Sequence, residues 1–229
     1  MARAVIIIFL VVVLAAAALF LSYDRIFAYA LSKIYTLDIS YRGAHSNLAG
    51  EIFYKDLSLV SKKTNLGLVS RRVSVKPRYS LKGVALKFCL NDVNFMKKGK
   101  DEPVNYDTLT ALLASPFNSQ WKYSEILGDI ALIGNELKIN GLTATGEELK
   151  LSLNGSILYL TGMINANIII YFSPALTAKV PPELVNTLLA DEKSGWRSLS
   201  VKLSGDMNKP SIQLTGRLFR LTIKSASGT

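Results

Sequence analysis

Leu149-Lys150-Leu151-Ser152-Leu153-Asn154-Gly155 decides the fold class. Three leucines alternate with polar residues and end at a glycine, the two-residue period of a strand with one apolar face. The same period recurs on both sides. Leu137 and Ile139 alternate with Lys138 and Asn140. Leu199, Val201 and Leu203 alternate with Ser200 and Lys202, and Ile212 and Leu214 flank Gln213. Gly141, Gly146, Gly155 and Gly162 fall between such runs at turn-like spacing. Ile168-Ile169-Ile170-Tyr171-Phe172 is apolar throughout and reads as a strand buried on both faces.

Toward the N-terminus, Leu37, Ile39 and Tyr41 alternate with Asp38 and Ser40, and Gly43 to Asn47 reads as a turn. Further strands are expected over Glu51–Val60, over Leu66–Lys76 with Val73 and Val75 inward and Pro77 as its stop, and over Val84–Phe95. Two short helices are expected. One runs from about Asp107 to Ala114 on Leu109, Leu112 and Leu113; the other covers Glu183–Ala190 and is opened by Pro181 and Pro182. The expectation is a mainly β protein: an N-terminal transmembrane helix, then a curved, largely antiparallel β-sheet with two short helices. Alternation gives each strand one apolar face, and it leaves open whether those faces close into a sandwich core or line a groove.

Ala4 to Leu21 is a run of 18 residues without a charged or strongly polar side chain. As a helix it measures about 27 Å, close to the roughly 30 Å hydrocarbon core of a bilayer. It is longer than the usual hydrophobic region of a cleaved signal peptide, which favours an uncleaved anchor. Tyr23, Phe27 and Tyr29 suit the membrane interface. The expected organisation is an anchor with its juxtamembrane extension over 1–33, a β subdomain over 34–100, a second β subdomain with the short helices over 101–224, and a disordered tail over 225–229. Lys97 to Pro103 is the polar break between the subdomains.

The net charge is +10, which favours anionic partners, and a membrane attachment makes lipid head groups the leading class; nucleic acid is not expected. The single cysteine, Cys89, excludes an intramolecular disulfide and reads as a small buried hydrophobe. His45 is the single histidine and lies among turn residues. One His and one Cys do not supply an ordinary zinc site, and no nucleophile elbow, phosphate loop or dinucleotide fingerprint occurs. No catalytic residue, metal or cofactor is therefore expected, and the chain does not read as an enzyme.

Two stretches carry a resemblance. Arg78-Tyr79-Ser80-Leu81-Lys82-Gly83 leads into the Val84–Phe95 strand. Ser198 to Leu214 reads as an alternating strand, Ser204-Gly205, a short turn with Pro210, and a second alternating strand. With the anchor, these resemble the AsmA-like envelope proteins, a group that includes the TamB relatives and the type II secretion N component. The resemblance implies an inner-membrane protein, single-pass, with the bulk of the chain in the periplasm. It implies a β-groove that holds phospholipid or glycolipid acyl chains in envelope lipid transport. Some 12–14 strands stack to only about 60 Å, so one such chain would need self-association or other envelope proteins to bridge two membranes.

On that reading the candidate groove residues are Leu137, Ile139, Leu149, Leu151, Leu153, Ile168, Ile170, Val201, Leu203, Ile212 and Leu214. The candidate head-group contacts are Arg71, Arg72, Lys76 and Arg78, with Lys97, Lys98 and Lys100 beside them. The alternative is a structural or assembly subunit of a secretion-type or lipopolysaccharide-transport-type complex, binding partners through its sheet edges.

Overall fold

The computed structural model describes residue 32 and residues 37–224, except 48, 63–65, 98–121 and 208. The expected anchor, the helix near Asp107–Ala114 and the tail lie outside the described residues. Among the described residues no helix is long and apolar enough to cross a membrane.

The described residues are mainly β and form one antiparallel sheet. β1 (Leu37–Ser40) and β2 (Gly43–Ser46) lie end to end along β3 (Ile52–Ser61). The sheet then runs in sequence order through β4 (Leu66–Ser80), β5 (Gly83–Lys97), β6 (Lys122–Ile133), β7 (Glu136–Gly146), β8 (Leu149–Leu158) and β9 (Met163–Phe172). A helical segment follows, with α1 (Pro174–Thr177) and α2 (Pro182–Leu188), before the short β10 (Ala190–Asp191). β11 (Arg197–Asp206), β12 (Ser211–Thr215) and β13 (Arg220–Lys224) complete the sheet. β5 and β6, on either side of the polar break after Lys97, are neighbours in this sheet.

Three details depart from the sequence reading. Gly43-Ala44-His45-Ser46 is a strand rather than a turn: its backbone pairs with the first half of β3, and His45 stacks on Phe53 at 4.9 Å between ring centres. Pro77 does not end β4. β3 pairs with β4 only as far as Val75, so Pro77 has a neighbouring strand on one side alone, where a residue without an N–H is tolerated. The apolar run of β9 is buried on one face: Ile170 and Phe172 are buried, while Ile169 and Tyr171 are half-buried on the other side.

The sheet is creased along a line that crosses four strands. Lys55 faces Arg72 and Leu57 faces Ser70, and the pair between them, Asp56 and Arg71, drops out of the ladder. Arg71 and Asp92 drop out between β4 and β5, and Asp92 and Ser124 between β5 and β6. Asp56 and Asp92 take positive φ, 51° and 53°, a left-handed conformation that Asp tolerates better than most residues because its short side chain can bond locally. At the crease two successive residues of each strand turn away from the apolar face. The inward positions therefore change parity: Tyr54 then Leu57, Ser70 then Val73, Leu90 then Val93, Tyr123 then Ile126. Bulge-like irregularities bend a strand while keeping its apolar residues on one side. Ser70, fully buried, donates to the carbonyl oxygens of Asn91 (2.7 Å) and Arg72 (3.1 Å) beside the break. A second irregularity at Asn140-Gly141 shifts β7 against both neighbours.

Candidate functional site

The apolar face does two different things along the sheet. From β8 to β12 the rows match across an unbroken register, as in Leu151–Ile170–Leu199 and Leu153–Ile168–Val201–Leu214. Over this part α1 and α2 pack down. Ser173, buried, accepts a hydrogen bond from Leu176 N as the cap of α1, and Val185 and Leu189 join Phe172, Leu199 and Leu214 in the core. The hollow left between helices and sheet is about 10 Å³, at the lower limit for one water.

From β1 to β9 the same face lines a half-open trough of about 490 Å³. Eight strands contribute, from Ile39 on β1 through Leu68, Phe88, Ile126 and Leu142 to Ile168 on β9, and no polar atom is exposed to it. The crease shapes the trough, because Tyr54, Leu57, Val73, Leu90 and Tyr123 beside it all line the space. Gly128 lets the Phe88 ring lie flat across the neighbouring strand: a Cβ there would come within 2.0 Å of the ring. Burial pushes the Tyr123 hydroxyl up to about 12, and its ring meets Phe95 edge to face at 5.7 Å.

Of the apolar residues expected from sequence, Leu151, Leu153 and Ile168 line the trough. Leu149, Ile170, Val201 and Leu214 are buried in the core, with Leu203 and Ile212 packed against it. Leu137 and Ile139 lie past the Asn140-Gly141 irregularity, half-buried and outside the trough lining. Most of the lining comes from β3–β6, through residues such as Leu59, Val75, Leu86 and Phe95, which lie on expected strands but were not among the candidate groove residues.

The basic residues lie elsewhere. Arg72 and Lys76 alternate with the inward Val73 and Val75, which places them on the opposite, polar face. Arg71 sits on the crease, and Arg78 lies near Asp129 on that same face. With His45, Phe53, Lys55 and Asn91, Arg71 and Arg72 border a second half-open hollow, of about 710 Å³. Lys98 and Lys100 are outside the described residues. Asp129 is held below the usual carboxylate range by the Asn140 side chain (3.0 Å) and by Lys87 (3.2 Å).

Cys89 is half-buried on the polar face rather than within the apolar core, because Phe88 and Leu90 take the inward positions. Burial and the Glu125 carboxylate, 3.7 Å from its sulfur, push its pKa up. Among the described residues no group of three or more His, Cys, Asp or Glu could hold a metal ion. No family model matches the chain, and no curated protein and no solved structure matches it either.

Proposed function

We propose that this chain is a lipid-binding or lipid-transfer component of a bacterial envelope. In this reading it is anchored in the inner membrane by Ala4–Leu21, with its sheet in the periplasm, and it holds a phospholipid or glycolipid acyl chain in the trough. The observation that carries the reading is a trough lined from eight strands with no polar atom facing it. Its volume lies in the range of small-ligand sites. Eight neighbouring strands span about 34 Å, and one leaflet of a bilayer's hydrocarbon core is about 15 Å thick, so an acyl chain fits lengthwise across the strands. Each methylene moved from water to such a surface contributes about 0.8 kcal/mol. The resemblance to AsmA-like proteins supports the same function.

The test is crosslinking of the full chain with a photoactivatable phospholipid in bilayers of phosphatidylethanolamine and phosphatidylglycerol, read by peptide mass spectrometry. Crosslinks on β3–β8 peptides, reduced by Leu68→Asp with Leu153→Asp in a chain that still folds, support the trough. Crosslinks confined to the N-terminal segment reject it.

A second reading has one observation in its favour. Among the described residues β13 is an open sheet edge, with Leu221 and Ile223 both 42% exposed. That edge suits a partner that adds a strand in an envelope assembly.

A further inference from the structure

In an antiparallel meander, alternate hairpins fall at the same end of the strands. The β4–β5, β6–β7, β8–β9 and β11–β12 hairpins therefore form one row, at residues 80–83, 133–136, 158–163 and 206–211. The row is continuous. Gly83 faces Ile133 across the β5–β6 ladder. Tyr159 N and Leu160 N bond Asn135 through its carbonyl (3.2 Å) and side chain (2.8 Å), and Met207 N bonds Gly162 O at 2.7 Å.

These tips are apolar and exposed. Leu81 (109%), Leu160 (76%), Tyr79 (66%), Tyr159, Met207 and Ile133 all stand into solvent. Of the fifteen exposed large apolar side chains among the described residues, seven lie in these turns and three more, Tyr79, Val84 and Leu132, lie one residue away, so they are concentrated at one end of the strands. At the other end the β7–β8 turn carries Glu147 and Glu148, while the β3–β4 and β12–β13 turns carry Lys62 and Arg217, so it is the apolar side chains rather than the charge that separate the two ends. When two residues on either side of each turn are included, four basic residues, Arg78, Lys82, Lys138 and Lys209, outnumber the two acids, Glu136 and Asp206.

We infer that this row of hairpin tips is a second membrane contact, which lays one rim of the trough on an anionic bilayer surface. Leucine, isoleucine and methionine enter the boundary between head groups and acyl chains. Tyrosine suits that depth, and the lysines meet lipid phosphates. Exposed apolar patches of this kind otherwise mark an interaction site without naming its occupant. Here the paired basic and aromatic chemistry, ranged along one line, fits a flat anionic surface. The inference uses different side chains from the trough.

The experiment uses the full chain in Cys89→Ser form, carrying one new cysteine at a time (Leu81→Cys, Leu160→Cys or Glu147→Cys) labelled with an environment-sensitive fluorophore. Each form is reconstituted into phosphatidylethanolamine and phosphatidylglycerol vesicles that contain brominated acyl chains. Labels at 81 and 160 are expected to shift to the blue and lose intensity to bromine, and the label at 147 is expected to stay water-like. The tip signals are expected to persist when Leu68→Asp and Leu153→Asp are added. Water-like emission at 81 and 160, equal quenching at all three sites, or loss of the tip signals with the trough variant would each overturn the inference. If lipid crosslinking in the trough fails while the tips insert, the trough reading falls and this one stands.

Discussion

One apolar face, built by the same alternation, is closed at one end of the sheet and open along the rest. Over β9–β12, α1 and α2 cover it, Phe172 and Leu214 are fully buried, and the residual space is about 10 Å³. Over β3–β8 no helix among the described residues packs on it, and a space of about 490 Å³ remains. The strands differ as well. β9 and β11 pair through ten consecutive positions without a break, whereas β3 to β6 share the crease and β7 carries its own irregularity. Alternation thus builds an amphipathic sheet. Whether its apolar side becomes a core or a trough depends on the covering segment and on where the strands bend.

The comparison predicts unequal costs for side-chain deletion. Phe172→Ala removes a ring enclosed by sheet and helices and is expected to cost about 3–5 kcal/mol. Leu68→Ala removes atoms that border the open trough, leaves no closed cavity, and is expected to cost about 1 kcal/mol. Thermal or denaturant unfolding of the full chain in detergent, followed by circular dichroism, measures both. Equal losses would mean that the two ends of the face are packed alike.

The crease is expected to come next in size. Ser70→Ala leaves the carbonyls of Asn91 and Arg72 without the hydroxyl that bonds them in a fully buried place, at about 1–3 kcal/mol. Ser70→Thr keeps the donor and is expected to retain part of that stability. A Ser70→Ala chain as stable as the parent would show that the crease holds without this side chain.

The strands and their faces were legible because a two-residue period survives in the sequence wherever one side is apolar. Leu149–Leu153 and Leu199–Leu203 are the clearest cases, and they mark the packed end more than the trough. The trough was harder to read because its strands change parity midway. Lys55-Asp56, Arg71-Arg72, Asn91-Asp92 and Ser124-Glu125 are polar doublets that interrupt the alternation. Each looks like noise until the register places Asp56, Arg71, Asp92 and Ser124 in one row. The β2 strand was hidden for another reason. Gly43-Ala44-His45-Ser46 has turn composition, and the strand edge it pairs with, the first half of β3, is not visible in its own local sequence.

Smaller effects separate the two faces of the trough wall. Gly128→Ala places a methyl group where the Phe88 ring lies and pushes that ring into the open space. Moving one ring end into a void costs little next to overpacking a closed core, so about 1 kcal/mol is expected, with lipid crosslinking to β5 and β6 peptides reduced. On the opposite face, half-buried Cys89 provides a probe of the other side of the sheet. Its raised pKa means that less of it is thiolate at a given pH than in a free cysteine. Maleimide labelling is therefore expected to be slow near neutrality and to keep rising with pH above the ordinary thiol range. Glu125→Gln removes the nearby negative charge, lowers that pKa and should speed labelling at fixed pH, even with the trough filled by lipid, because the thiol faces away from it. A labelling rate that instead falls when lipid is added would put Cys89 on the trough side and break the assignment of the two faces.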